Sequence, residues 1–153
     1  MPEPTDFAAA TARFALPHLF PAQAQKEFVV NESLARIDSL LHCAIEGAAD
    51  EPPASPGEGE CWIVSDSPAG EWAGHAGDIA AHQAGTWLFL SPREGMRIYD
   101  KAQRAFAHYA GGWQYAHSPA PPAGGETVDA EARAAIGNLI ETLEAAGILP
   151  AST

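Results

Sequence analysis

Basic residues are scarce. Eight lysines and arginines stand against 20 aspartates and glutamates in 153 residues, a formal charge of −12 at pH 7. That field repels a phosphate backbone, so nucleic acid is not expected as a partner. Long apolar runs are missing as well. None nears the roughly 18 residues that a membrane-crossing helix needs, so no membrane insertion is expected. The opening, MPEPTDFAAATARF, is acidic and proline-bearing, where a secretory signal has a basic start before an apolar stretch. Cysteine occurs twice, as Cys43 and Cys61. A disulfide and two buried reduced thiols both fit such a pair, and composition favours the thiols. The six histidines (His18, His42, His75, His82, His108, His117) show no HExxH or CxxC spacing. No metal site and no cofactor are therefore expected. The glycines form neither a P-loop nor a GxGxxG after a strand, which removes the usual nucleotide signatures.

What is present suffices for a core. Hydrophobic residues make up 46% and charged residues 18%, in a length that suits one domain. Periodicity divides the chain. Residues 1–21 carry Pro2, Pro4, Pro17 and Pro21 and read as an extended arm. Residues 22–47 are good helix formers, with Pro21 at the start and Gly47 at the stop. The apolar positions Val30, Leu34, Ile37, Leu41 and Ala44 step by 4, 3, 4, 3. That is the spacing of helices that wind on one another, so 22–47 is expected to be an oligomerisation helix. An amphipathic helix lying on its own sheet produces the same pattern, and the two readings stand side by side.

Residues 48–117 are expected to form a β-meander module. After a proline- and glycine-rich loop come short strand-type runs at 61–64, 78–83, 86–90, 96–100, 105–109 and 113–116, separated by turn residues. Trp87, Leu88, Phe89 and Leu90 are consecutive, so that strand is expected to be covered on both faces or to lie in an interface. Gly70-Glu71-Trp72, Gly85-Thr86-Trp87 and Gly111-Gly112-Trp113 repeat a turn glycine followed by tryptophan. Residues 118–126, SPAPPAGGE, are a linker. Residues 127–149 hold a C-terminal helix with Thr127 as N-cap and Gly147 past its end. Ala132, Ile136, Leu139, Leu143 and Ala146 step by 4, 3, 4, 3 again. The fold class expected is α+β: an N-terminal helix, an antiparallel β-hairpin meander and a C-terminal helix, held in an oligomer. Val30, Leu34, Ile37, Leu41, Ile136, Leu139 and Leu143 are its expected interface residues. β-branched residues alternating with leucine suit two strands in parallel dimers, so the number of copies stays open here.

No catalytic residue is assigned. Glu94 and Asp100 in PREGMRIYDK have the residue types of a glycosidase pair, and an ordinary hairpin rim has them too. Ser65 and Asp66 lack a GxSxG context. Ligand binding points instead to EWAGHAGD. Trp72, with Glu71, His75 and Asp78 around it, has the makings of a sugar platform: an aromatic face for C–H groups and carboxylates for hydroxyls. A buried anchor of that turn is the competing reading.

The residues also carry a resemblance. Leu16-Pro17, then Pro21-Ala22-Gln23-Ala24-Gln25-Lys26-Glu27, Asn31-Glu32, Leu34 and Asp38 resemble the opening motif of a family of uncharacterised phage-like proteins from prophages and gene transfer agents. Gly59-Glu60-Cys61-Trp62, Gly85-Thr86-Trp87 and Ser91-Pro92-Arg93-Glu94-Gly95-Met96 continue it, over about residues 13 to 116. The resemblance implies a tail-fibre or head-spike component, assembled in the bacterial cytoplasm into a virion-like particle. It implies a homo-oligomer, a trimer by analogy with fibres and spikes, among other particle structural proteins, with host capsular polysaccharide as ligand. It brings no catalytic residues, so the chain is expected not to be an enzyme. The alternative is a polysaccharide-depolymerising hydrolase or lyase of a phage spike.

Overall fold

The computed structural model describes residues 16–19, 22, 24–120, 122–125 and 129–150. Most of the expected 1–21 arm lies outside the described residues, as do Thr127 and Val128. The described chain runs α1 (Lys26–Leu40), β1 (Ala44–Ile45), β2 (Ala48–Ala49), β3 (Cys61–Val64), β4 (Ile79–Gln83), β5 (Thr86–Leu90), β6 (Arg97–Asp100), β7 (Ala105–Tyr109), β8 (Trp113–Tyr115) and α2 (Ala130–Ala145). The fold is α+β, with two four-stranded sheets.

A single antiparallel meander is not what forms. One sheet has the order β2-β3-β4-β5 and the other β1-β6-β7-β8. In each, antiparallel hairpins carry one parallel edge strand, β2 on β3 and β1 on β6. Both edge strands come from the segment assigned by periodicity to the end of the first helix and the start of the module. The helix stops early because Leu41 turns extended, its N–H still bonded to Ile37 O at 2.9 Å, and His42 takes a left-handed φ of 51°. A histidine does here what glycine does at most such ends. The chain then crosses from sheet to sheet. Tyr99 and Lys101 donate backbone N–H groups to Cys43 O and Ile45 O, while Glu46 N donates to Cys61 O and Ile63 N to Gly47 O, all at 2.8–3.0 Å.

The glycine–tryptophan repeat is structural. Ala81-His82-Gln83-Ala84-Gly85-Thr86-Trp87 recurs as Ala107-His108-Tyr109-Ala110-Gly111-Gly112-Trp113, and each copy turns the last hairpin of its sheet. In the first copy Gln83 pairs with Thr86 across a two-residue loop, with φ of 52° at Ala84 and 72° at Gly85. Positive φ at both loop positions is the type I′ turn, which favours Asn-Gly. Ala84→Asn is expected to stabilise the chain by about 0.5 kcal/mol, seen as a raised denaturation midpoint at unchanged slope.

The main core lies between the sheets. Ile63, Ile79, Ala81 and Leu90 of the first sheet meet Ile45, Ile98 and Ala107 of the second, with Cys43 and Cys61 among them as free thiols. A second cluster covers the opposite face of the first sheet, where Val64, Trp72 and Ala80 pack with Trp87 and Phe89. The consecutive apolar residues of β5 are thus covered on both faces, as their lack of alternation implied: Leu88 and Leu90 turn to one cluster, Trp87 and Phe89 to the other.

α2 starts at Asp129, whose carboxylate accepts Ala132 N–H at 2.8 Å. It ends in a glycine stop, with Gly147 at φ 69° and Ile148 N–H bonded to Leu143 O at 2.9 Å. This end is tied to the second sheet. Phe106 N donates to Gly147 O at 2.7 Å and Leu149 is buried, while no residue within α2 is.

Candidate functional site

Two surfaces have the character of a site, one on the helices and one between the sheets. On α1 the usual arrangement is reversed. The side turned to the protein is largely polar apart from Leu40, which packs on the main core: Ser39 is buried, Gln83 donates to its hydroxyl at 3.1 Å, and Arg36 reaches Phe89 O at 3.4 Å. Ser33 donates to Pro17 O at 3.0 Å. The apolar stripe faces out, with Val30, Leu34, Ile37 and Leu41 at 39, 57, 37 and 65% exposure and Phe28 beside them. A shallow groove runs along it between Leu34, Ile37, Leu41 and Gln83. On α2, Ile136 and Leu139 are exposed and Leu143 is half-buried. Val30, Leu34, Ile37 and Leu41 of α1 and Ile136 and Leu139 of α2 therefore stay exposed on the chain. Exposed apolar patches of this kind mark contact surfaces.

The residues named from EWAGHAGD do not converge as a platform. Trp72 is 0% exposed and its ring meets Trp87 edge-on, with centroids 5.0 Å apart. The short helical turn Gly70–Trp72 drives it under the loop, so it cannot offer a face to a ligand. Glu71 is exposed. His75 stacks flat on Phe89, 3.5 Å between centroids, and its Nδ1 lies 3.1 Å from Asp78 Oδ2. His75 and Asp78 line a cleft of about 260 Å³ with Arg36, Ser91 and Arg93. The buried-anchor reading is the one the geometry supports. Packing of Trp72 against β5 explains it, since its ring closes the 65–78 loop over the first sheet.

Glu94, in the turn before β6, and Asp100, the last residue of β6, both hold structure. Glu94 Oε2 accepts Gly111 N–H at 3.2 Å. Asp100 is 2% exposed and accepts both Gln103 N–H at 3.0 Å and the Tyr115 hydroxyl at 2.5 Å. Burial first, and the bond to Asp100 second, push the Tyr115 hydroxyl well above the ordinary phenol range. An unfolded tyrosine titrates near 10. The stabilisation from this raised group is therefore complete below about pH 10 and is lost as pH climbs past it. Melts taken across alkaline pH should show that decline, and Tyr115→Phe should flatten it.

The surface that the sequence did not single out is a cleft of about 500 Å³ between the two sheets. Ser65, Asp66, Ala76 and Gly77 form one wall, and Tyr109, Trp113 and Tyr115 of the β7–β8 hairpin the other. Trp113 Nε1–H donates to Gly77 O at 3.0 Å and ties the walls together. Tyr109 meets Trp113 edge-on at 5.3 Å. Trp113 and Tyr115 are two apart on one strand and so share a face, a signal available in the sequence. Among the described residues no group of His, Cys, Asp and Glu is placed to hold a metal ion.

Comparison with known proteins gives one family. The model of DUF2793, a family of proteins of unknown function, matches residues 30–114. The chain belongs to the DUF2793 family. No curated protein matches it. The matched span contains the outward stripe of α1, seven complete strands and most of β8, whereas α2 lies beyond it. The stripe and both walls of the cleft, Tyr115 excepted, are therefore part of the DUF2793 region.

Proposed function

We propose that the chain is a structural and adhesive component, a spike, fibre or adaptor, of a phage-like particle or gene transfer agent. Its helices hold it as a homo-oligomer among other particle structural proteins, and its sheets meet host capsular polysaccharide. The opening and internal motifs quoted above support the particle context. The observation that carries the assembly is the outward stripe: α1 meets its own sheets through Arg36, Ser39 and Leu40 and leaves Val30, Leu34, Ile37 and Leu41 exposed.

The occupant proposed for that stripe is a second and third copy of the same chain. Four-residue steps lead into Leu34 and Leu41 and a three-residue step into Ile37, which puts the leucines at a and Val30 and Ile37 at d of the heptad. That is the reverse of the β-branched-at-a, leucine-at-d order of parallel dimers, so the two-strand pattern does not apply to α1, and this order favours three or four strands. α2, with Ile136 and Leu143 at a and Leu139 at d, favours no single number. A trimer satisfies α1 and the closed symmetry of homo-oligomers. Sedimentation equilibrium at micromolar concentration tests it. Three times the 16.0 kDa chain mass is expected, and a strictly monomeric species overturns the reading. The depolymerase alternative finds no comparable support, because Glu94, in the turn before β6, and Asp100, at the end of β6, are bonded to different partners.

A further inference from the structure

We propose that the cleft between the sheets, walled by Ser65, Asp66, Gly77, Tyr109, Trp113 and Tyr115, binds a neutral pyranose ring of a surface glycan. This rests on the adhesive half of the reading above and assigns it a place. Its volume of about 500 Å³ is within the range of small-ligand sites.

The three rings are set before any ligand arrives. The Trp113 indole N–H is committed to Gly77 O, Tyr109 braces that ring from the side, and the Tyr115 hydroxyl is committed to Asp100. Little side-chain freedom remains to be lost on binding. Trp113 packs partly on the main core and has its N–H occupied, so what the half-buried ring leaves to the cleft is apolar surface, which suits the C–H face of a sugar ring. Across the cleft the Ser65 hydroxyl and the Asp66 carboxylate supply an acceptor pair for sugar hydroxyls, and a charged acceptor makes the stronger bonds. The rim is fixed as well, since Glu94 holds Gly111 N–H at 3.2 Å.

Charge narrows the ligand class. No lysine, arginine or histidine lines the cleft, one carboxylate does, and the whole chain is strongly acidic. Phosphate, sulfate and uronate groups are repelled from such a site. A purely apolar ligand would cover Asp66 without bonding it. A neutral ring with one C–H face and several hydroxyls answers both walls.

The test is titration of the isotope-labelled full chain with methyl glycosides of glucose, galactose, mannose and N-acetylglucosamine, with glucuronic acid as the charged control. The expected result is amide shifts confined to 65–66, 76–77 and 109–115 for at least one neutral sugar. Glucuronic acid should bind more weakly than that sugar. Asp66→Asn, at an exposed position, should weaken binding about tenfold with the melting midpoint unchanged. Trp113→Ala should abolish it, and the Asp66 variant keeps the test decisive where the loss of Trp113 loosens the fold. Silence with every neutral sugar, glucuronic acid binding as well or better, or shifts mapping away from the cleft overturns the proposal. An assembled chain with a silent cleft would leave the oligomer reading standing. A monomer that binds the sugar would do the reverse.

Discussion

Trp72→Ala is expected to cost about 3–5 kcal/mol of stability, the range for emptying a fully buried tryptophan site. Trp72 has no exposed surface, and its ring fills the space between Val64, Ala80, Trp87 and Phe89. For a domain of this size the melting midpoint should fall by roughly 10–15 °C. The 65–78 loop carries the damage, because this ring is its main apolar contact with the first sheet, beside the His75 stack on Phe89 and backbone bonds such as Val64 N to Asp78 O and Gly77 N to Val64 O. Thermal melts followed by far-UV circular dichroism check it. A variant with the midpoint of the unaltered chain would mean that the ring stands in solvent, and would restore the exposed-platform reading.

Joint replacement of Leu34 and Leu41 by glutamate should have the opposite profile. Both side chains are more than half exposed within the chain, so the folded protomer loses almost nothing, within about 0.5 kcal/mol as for other surface positions. In a bundle the same two positions sit against their symmetry mates, where an uncompensated charge costs about 3–5 kcal/mol. Light scattering should therefore give the mass of one chain, with an unchanged circular dichroism spectrum. An unaltered oligomer mass would show that the copies meet elsewhere. Setting the two variants together separates the residues that make the protomer from those that make the assembly.

Much of the fold is legible in the sequence because turn chemistry and side-chain period are local. β3, β5 and β7 match their expected bounds, and β4, β6 and β8 differ by one residue at one end. The glycines and the alternation of small with large residues fix them. β1 and β2 are not legible. Two-residue strands have no period, Ala44 continues the heptad spacing, and the left-handed residue that ends α1 is His42 instead of a glycine. Periodicity predicts a helix here and extends it too far at both ends, 22–47 against Lys26–Leu40. The outward stripe was legible as a pattern, but only the structure distinguishes it from a helix lying on its own sheet, since that depends on what Arg36 and Ser39 touch. The cleft was hidden for another reason. Its walls come from loops and strands distant in sequence, and it exists only because Gly77 and Trp113 meet across two sheets. Trp72 misled because a glycine-rich setting reads as a loop, and a loop does not reveal which of its side chains it tucks beneath itself.

The ribbon from Cys43 to Asp50 has a mechanical consequence. It is the only covalent path from α1 to the strands, and its backbone is bonded to β3 on one side and to β6 and the start of the β6–β7 turn on the other. Tension arriving through α1 would be divided between the two sheets at once through this ribbon. In the spike or fibre role proposed above, that would make the two sheets yield as a single unit under load.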